Sequence, residues 1–435
     1  MQRLTAALES AIRNAGAKGF FHLFSANILI NLFAFGSQLL VVKFLSPAEM
    51  ADIKTMQSFT GIAAVLAGFG LNAAVLKLCS ESRPESERSA IFRQSLILSI
   101  LPMAVVLIAG VVVAQLKLFS PEQRVNQWMI VFLLTIPATV ITSLIMMYLQ
   151  ARKRIKLMAT TQTILRIIGL IVIVVASYYF GFSGFVIATV VVAMTALIPL
   201  LRMVSSDLSA EKVKAGLDRI WYFARWSLAA NLVGSINSYL DILMLNYLVD
   251  DRIGMGYYSI ATIFILGLNQ VTATVQAIAT PYFSEYSNSE ARFMRVLRKY
   301  QKMLVLVALG LTLVTMFAVP WFIELIYGDS YAAAGTFFRI LAVKYFLWSC
   351  YALLGIAIWG IGKMKFSFYS VLAALIISTA VSYWLILDRG LQGAAYAQVV
   401  SYALNLIIVT VMTRLALRGH FRRLENAATI PGDMK

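Results

Sequence analysis

Polar side chains recur at helical spacing through one strongly apolar stretch, residues 226–248. About 20 apolar residues span a hydrocarbon core of roughly 30 Å as one helix, so the stretch is long enough to cross a bilayer. Its polar residues follow spacings of four, three and three, which places them on one face: Asn231, Ser235, Ser238 and Asp241. Carboxylates inside a membrane usually face a cavity or a partner. We therefore predict that Asn231 and Ser238 bind substrate. Asp241 is the predicted ion-coupling residue, with a salt bridge to an arginine and a solvated wall position as the alternatives.

A second polar face occurs in residues 20–42. Asn27, Asn31 and Gln38 return to within about 40° of one another on a helical wheel. They are predicted to line a substrate cavity. The alternative is that they bond to neighbouring helices, where each such bond contributes about 0.6 kcal/mol in a membrane.

Arg166 lies deep inside a third apolar stretch. Arginine suits the binding of a pyrophosphate because its planar guanidinium reaches two phosphate oxygens and stays protonated when poorly hydrated. We predict that Arg166 contacts a phosphate-bearing substrate. The alternatives are a structural pair with helix-end carbonyls or with Asp241.

Arg339 and Lys344 fall within a fourth apolar stretch and are about 140° apart on a helix, so only one of them need face a cavity. Both are candidate substrate contacts, and depth favours Lys344. Arg339 could instead extend to the membrane interface. Lys344 could instead pack among Tyr345, Phe346 and Trp348.

The composition is that of an integral membrane protein, because 60% of the 435 residues are hydrophobic, 13% are charged and mean hydropathy is +0.81. The net charge of +17 resides in short gaps between apolar runs, which argues for membrane topology and against nucleic acid as a partner. Two cysteines and two histidines support neither a disulfide framework nor a metal site. The glycine-rich run GIAIWGIGK at 355–363 lacks the residues of a phosphate-binding loop.

Apolar windows of about 20 residues predict twelve transmembrane helices, here called spans 1 to 12. They cover residues 20–42, 55–77, 91–114, 127–149, 157–180, 183–203, 226–248, 254–278, 303–324, 336–361, 366–387 and 392–414. Of the 37 Lys and Arg, 28 fall on one side of the membrane in this arrangement and 6 on the other. The positive-inside rule then places both termini in the cytoplasm. The predicted fold class is an all-α polytopic membrane protein.

Two internal matches predict a duplicated architecture. An offset of 203 residues lays span 1 on span 7 and pairs Gln38 with Asp241. An offset of 209 lays GFSGFV, 181–186, on GLQGAA, 390–395. We therefore expect two six-helix lobes around a central cavity. The predicted segments are an interfacial segment at 1–19, lobes at 20–203 and 226–414, a cytoplasmic linker at 204–225 and a cytoplasmic tail at 415–435.

Several short runs resemble a known family. FLSPAEMADIK at 44–54 and GFGL at 68–71 are similar to signals that follow span 1 and lie in span 2 of bacterial polysaccharide transporters. Further matches are GYYSIAT at 256–262, LIYGDSYAAAGTFFRILA at 325–342 and GLQGAAYAQVVSY at 390–402. Ser46 and Met50-Ala51 depart from the usual Gly and Tyr-Gly. The chain thus resembles the O-antigen and lipid-linked oligosaccharide flippases of the multidrug/oligosaccharidyl-lipid/polysaccharide exporter superfamily.

The resemblance implies a flippase, and no enzymatic activity. It would move an undecaprenyl-pyrophosphate-linked oligosaccharide between leaflets of the bacterial inner membrane by alternating access, with no cofactor beyond a proton or sodium gradient. Membrane lipids surround it, and a polysaccharide polymerase or glycosyltransferases are the implied partners. One alternative is a cation-coupled small-molecule exporter of the same superfamily, and another is a scaffold in a glycan-synthesis complex. Three intramembrane cations against one acid favour an anionic substrate.

Overall fold

The computed structural model of the chain describes residues 36, 38–81, 83–208 and 217–428. Asn27, Asn31 and the predicted segment 1–19 lie outside the described residues. So do residues 209–216 of the predicted linker and 429–435 of the predicted tail.

The described part of the first half consists of helices. In chain order they are α1 (Pro47–Gly68), α2 (Leu71–Ser80), α3 (Glu85–Gln115), α4 (Gln123–Phe132), α5 (Thr135–Ala151), α6 (Ile155–Met203) and the short α7 (Ser205–Leu208). The second half continues with α8 (Leu217–Leu248), α9 (Arg252–Glu285), α10 (Glu290–Tyr327), a 3₁₀ turn (Asp329–Tyr331), α11 (Ala332–Gly360) and α12 (Met364–Ala428).

These helices account for predicted spans 2 to 12. Helices α1 and α2 are bent by 49° and together form span 2, while α4 and α5 are bent by 42° and form span 4. Helices α6 and α12 each contain two spans joined at a kink. The other spans each correspond to one helix.

The bend between α1 and α2 has a local cause in the GFGL run. Phe69 and Gly70 both have positive φ, 48° and 69°. A Cβ atom on Gly70 would lie 2.2 Å from the carbonyl oxygen of Ala224 in α8. Glycine is therefore needed at position 70 both for its backbone conformation and for the close approach of α8.

Two predicted connections are wrong in extent. The loop expected at 279–302 is mostly helical, because α9 continues to Glu285 and α10 already begins at Glu290. The linker expected at 204–225 contains α7 and the first turns of α8. Hydropathy reports which residues lie in lipid, whereas helices continue through charged residues beyond the hydrocarbon core. The charged ends of these helices were therefore misread as loops.

The kinks in α6 and α12 share one backbone geometry. Gly181 has φ 57° and ψ −138°, and Gly390, 209 residues later, has φ 55° and ψ −130°. Essentially only glycine adopts this region. Three residues after each kink, a Cβ atom on Gly184 or Gly393 would lie 2.1 Å or 1.9 Å from a backbone carbonyl oxygen eight residues earlier. The structure thus supports the repeat predicted at an offset of 209.

Helices α5 and α11 end in the same way, again 209 residues apart. Lys153 and Gly362 have φ of 57° and 72°. The N–H of the next residue, Arg154 or Lys363, donates to a carbonyl five residues earlier, at 3.0 Å and 3.2 Å. This bond closes a Schellman-type helix end. The repeat therefore includes the helix ends as well as the kinks.

The chain divides into two compact units. The first comprises the described residues up to Leu45 together with Phe59–Asn231, and the second comprises Ser46–Ser58 and the described residues from Leu232 onward. Helices α1 and α8 each contribute to both units. A Cβ atom on Gly256 of α9 would lie 1.9 Å from the carbonyl oxygen of Pro47, so the start of α1 packs directly on α9 within the second unit.

A buried ion pair connects the ends of α3, α5 and α7 in the first unit. Arg152, just after α5, donates to Asp207 of α7 at 2.6 Å and to the Tyr148 hydroxyl at 3.1 Å, and also pairs with Glu85 of α3. The side chains of Arg152 and Asp207 are 8% and 11% exposed. Breaking such a pair is costly because a buried charge is left without a partner.

A second, more exposed ion pair connects the start of α8 to the end of α2. Glu81 accepts hydrogen bonds from Arg83 at 2.7 Å and from Arg219 at 3.2 Å. The hydrogen bond from Arg83 is the main cause that holds the pKa of Glu81 below its ordinary value. Glu81 therefore stays ionised where these helices meet.

Candidate functional site: an acid, two tyrosines and a lysine

Asp241 is buried in the second unit and bonded to a tyrosine. Its side chain is 6% exposed, and Oδ2 accepts a hydrogen bond of 2.6 Å from the hydroxyl of Tyr258, which is fully buried. Asp241 lies seven residues before the end of α8 and Tyr258 six residues after the start of α9, so both are roughly 10 Å from that membrane face. The carboxylate is thus bonded to α9, and the roles considered for Asp241 stay predictions.

Lys344 contacts an aromatic ring from another helix. Its Nζ lies 4.9 Å from the ring centroid of Tyr402 in α12, a cation–π arrangement. Tyr402 also lies near Tyr258 within the second unit. Lys344 lies twelve residues into α11, roughly 18 Å along the helix, and is half-buried. The ring that Lys344 contacts therefore belongs to α12, and its role as a substrate contact stays a prediction.

Four helices thus bring together Asp241, Tyr258, Tyr402 and Lys344, which we call the acid–tyrosine cluster. Asp241 and Lys344 are thus each in contact with a tyrosine, Asp241 through a hydrogen bond and Lys344 through the face of a ring. Nearby, Thr272 of α9 lies 3.1 Å from the hydroxyl of Ser349 in α11, and Gln276 donates to the Ala352 carbonyl at 2.9 Å. These bonds hold α9 and α11 in register beside the cluster.

Asn231 and Ser238, the predicted substrate contacts of α8, are exposed and bond within their own helix. Asn231 donates to the Ser227 hydroxyl at 3.0 Å, and Ser238 donates to the Gly234 carbonyl at 2.8 Å. Neither bonds to another helix among the contacts of the described residues. Their exposure fits the predicted role in substrate binding, which stays a prediction.

Arg166 is exposed on one face of α6. The opposite face is an exposed aliphatic stripe of Ile164, Ile168, Ile171 and Val175. At 100° per residue, Arg166 lies roughly 170° from the centre of that stripe. No ion pair to Arg166 occurs within the described part of the chain. The guanidinium thus points away from the face that suits lipid, and its role as a phosphate contact stays a prediction.

Arg339 and Gln38 are the remaining candidates within the described chain. Arg339 is exposed near the start of α11, and its Nε lies 3.4 Å from the Met316 carbonyl, which makes a weak hydrogen bond. Gln38 is half-buried. The pairing of Gln38 with Asp241 across the repeat is untested.

Sequence reasoning missed two buried charged residues and two tyrosines. Asp52 and Lys54 of α1 are 2% and 9% exposed, whereas the spans place them in a connection. The signal for them was the FLSPAEMADIK run, whose charges stand beside buried apolar residues. Tyr258 lies within GYYSIAT and Tyr402 within GLQGAAYAQVVSY, but neither run indicates a role for its tyrosine. Among the described residues, no group of three or more His, Cys, Asp or Glu side chains is placed to hold a metal ion.

Solved structures share this fold over nearly its whole length. The lipid II flippase MurJ in an inward closed conformation matches with a TM-score of 0.75 at 14% identity, over 95% of this chain and 94% of that one. An inward-facing multidrug resistance transporter of the MATE family, in the MOP superfamily, matches with a TM-score of 0.73 at 15% identity, over 91% and 96%. The fold is thus that of a two-lobed, twelve-helix membrane transporter, which confirms the predicted fold class.

Sequence comparison narrows this class. A family model described as a polysaccharide biosynthesis protein matches residues 40–336. A probable low-salt glycan biosynthesis flippase of Haloferax volcanii is 22% identical over 420 residues, which cover 90% of this chain and 82% of that protein. The chain belongs to the polysaccharide biosynthesis protein family, as the motif resemblance indicated.

Proposed function

We propose that this protein is a flippase for an undecaprenyl-pyrophosphate-linked oligosaccharide, which it moves from the cytoplasmic to the periplasmic leaflet for O-antigen or exopolysaccharide assembly. The family match over residues 40–336 and the glycan flippase relative support the glycan part of the proposal. Movement between leaflets forms and breaks no covalent bond, so the proposed protein is a transporter without enzymatic activity.

The observation that carries the proposal is the placement of Arg166. A permanently charged guanidinium inside a membrane span, turned away from the exposed aliphatic face, requires an anionic or strongly polar partner. The pyrophosphate of a lipid-linked glycan is such a partner, since it accepts two parallel hydrogen bonds from one guanidinium. Asn231 and Ser238 on α8 are exposed and supply neutral polar groups for sugar hydroxyls.

The proposed energy source is a proton or sodium gradient that acts at Asp241. Neutralisation of the carboxylate by an ion would remove the charge that Tyr258 now stabilises. Repacking of the second unit on ion binding would then accompany alternating access, in which the polar pathway opens to one side at a time.

The excess of Lys and Arg on one side supports an orientation with both termini in the cytoplasm, and a bacterial inner membrane is the proposed location. Glycosyltransferases that supply the lipid-linked glycan, and a polymerase that consumes it, are the proposed partners.

A translocation assay tests this function. Purified protein is reconstituted into liposomes that contain a fluorescent undecaprenyl-pyrophosphate-linked oligosaccharide in both leaflets. An impermeant reagent that destroys the fluorophore is then added outside. Transport predicts loss of nearly all of the signal, compared with about half in protein-free liposomes. A signal that stops at half with the protein present contradicts the proposal.

A cation-coupled exporter of small organic cations is the second candidate, and the fold shared with a multidrug transporter favours it. It requires an acidic binding site, whereas Arg166 and Lys344 are cationic. Uptake of a fluorescent organic cation by the same liposomes, with no movement of the lipid-linked glycan, would establish this candidate instead.

A further inference from the structure

A surface pocket with a volume of about 590 Å³ lies at the beginning of α10, where the helix extends beyond its apolar span. It is lined by Glu290, Ala291, Met294, Arg295 and Arg298. The two arginines are one helical turn apart, so both guanidinium groups reach the same pocket. Two cations in one concave site favour an anionic ligand.

These arginines are available to a ligand. Both are exposed, and neither has an ion pair or a hydrogen bond within the described part of the chain. Arginines that serve structure behave differently here, since Arg152 and Arg83 are held by carboxylates. The pocket therefore presents two guanidinium groups whose hydrogen-bonding capacity is unused.

The opposite side of the same turn is fixed in the core. Phe293 and Leu297 are buried, and the Phe293 ring lies 5.4 Å from that of Phe283 and 5.6 Å from that of Phe421. Because these contacts hold the helix in place, the two arginine backbones are positioned before any ligand binds. This preorganisation reduces the entropy lost on binding.

The pocket lies beside the lipid-facing surface of α10, and Arg295 is the lining residue nearest to that surface. Further along the helix, Leu306, Leu313 and Phe317 are exposed and form an apolar stripe. At 100° per residue, Arg295 lies within roughly 40° of the centre of that stripe, and Arg298 lies roughly 80° from it. The two residues precede Met303, which is also exposed, by roughly 12 and 8 Å along the axis, so their long side chains reach the headgroup layer.

We propose that the Arg295–Arg298 pocket binds the headgroup phosphate of a membrane lipid. The guanidinium groups donate to the phosphate oxygens, Met294 and Ala291 contact the apolar part next to the phosphate, and Glu290 accepts a hydrogen bond from a headgroup hydroxyl. A phosphatidylglycerol supplies all three features, and a polyprenyl pyrophosphate supplies the phosphate. The proposed lipid site depends on the proposed function in one respect only, which is that the pocket lies at the cytoplasmic leaflet.

Lipid-dependent thermal unfolding of the purified protein in neutral detergent tests this site. Dioleoyl-phosphatidylglycerol is titrated against wild type and the double variant R295Q/R298Q, with dioleoyl-phosphatidylcholine as the neutral lipid. The matched control is R292Q/K299Q, which removes the same charge from the same turns outside the pocket. We expect the phosphatidylglycerol concentration for half-maximal stabilisation to rise roughly tenfold in R295Q/R298Q, the scale of one charge-assisted hydrogen bond to phosphate. In the control it should rise clearly less, because only diffuse attraction to anionic lipid is lost. Equal losses in both double variants would overturn the site, because they would show diffuse attraction only.

Two further arms identify the source of the phosphate. In one arm, undecaprenyl pyrophosphate without sugar replaces phosphatidylglycerol. If it stabilises wild type more than R295Q/R298Q, the pocket binds the lipid carrier of the glycan. Stabilisation by phosphatidylglycerol alone makes it a phospholipid site. Inorganic pyrophosphate is the other arm, and stabilisation as strong as that by either lipid would overturn the assignment to a lipid. Since binding is measured, the result does not depend on whether the protein translocates a glycan.

Discussion

The hydroxyl of Tyr258 and the carboxylate of Asp241 are joined by a 2.6 Å hydrogen bond between two adjacent membrane helices. A charged acceptor strengthens such a bond, and burial leaves the carboxylate with little water. An ion that binds Asp241 therefore meets a carboxylate that is already bonded to Tyr258.

The first prediction concerns this pair. Asp241→Asn keeps the size of the side chain and removes its charge, so glycan translocation should continue at a low rate that no longer responds to a proton or sodium gradient. Tyr258→Phe should keep the gradient response and slow translocation by roughly tenfold, the scale of one charge-assisted hydrogen bond. Both variants are measured in liposomes with and without an imposed gradient.

Tyr257→Phe is the control for this pair, because Tyr257 contacts the Tyr331 ring at 5.8 Å. It should behave as wild type. Full gradient stimulation of Asp241→Asn would show that this residue does not couple the ion.

The second prediction concerns the close approach at Gly184 and Gly393. An alanine at either position would place Cβ within 2.1 Å of a carbonyl oxygen, so the backbone must shift. Each substitution should lower the free energy of unfolding by roughly 2 kcal/mol, as overpacking does. Gly310→Ala is the control, since nothing lies within 4 Å of that position. Thermal unfolding in detergent measures all three, and a neutral Gly184→Ala beside a damaging Gly393→Ala would argue against equivalent repeats.

The third prediction concerns Lys153, which ends α5 with a φ of 57°. The equivalent position in the second repeat is Gly362, and glycine adopts this conformation without strain. Lys153→Gly should therefore raise stability by about 1 kcal/mol. Lys153→Ala removes the charge but keeps the strain, so it should leave the unfolding temperature unchanged. Equal stabilisation by both substitutions would point to charge as the cause.

The fourth prediction concerns the buried ion pair of Arg152 and Asp207. Arg152→Met leaves Asp207 largely buried without its main partner, which should cost about 3 kcal/mol. The exposed pair of Arg389 and Asp388 provides a comparison, because Arg389→Met should have no measurable effect on stability. Unfolding temperatures of the two variants decide this, and similar values would show that burial of the Arg152 pair has no energetic consequence.

The membrane spans and the repeat could be predicted from sequence because apolar length and recurring glycines are local signals. Gly181 and Gly390 illustrate this, since each must be glycine for its own backbone conformation. The start of α10 at Glu290 could not be predicted in the same way. Hydropathy gives no signal where a helix continues into water. The turns that carry Arg295 and Arg298 therefore fell in the predicted connection between spans 8 and 9.

The candidate site was only half predictable. Asp241 and Lys344 attract attention because charge inside a membrane is costly. Tyr258 and Tyr402 do not, because tyrosine is common in membrane proteins and the partner of Asp241 is set by the packing of α9 against α8. Likewise, the predicted spans place Lys54 in the connection between spans 1 and 2. Its burial follows from the tertiary packing of α1, which the sequence does not show.

Arg166 is proposed to bind the pyrophosphate of a lipid-linked glycan within the membrane, and the translocation rate of Arg166→Ala tests this role. Loss of a charge-assisted, bidentate contact should slow translocation ten- to a hundredfold, with Arg166→Lys in between. Arg202→Ala is the control, because Arg202 is exposed at the end of the same helix. A wild-type rate for Arg166→Ala would contradict the account.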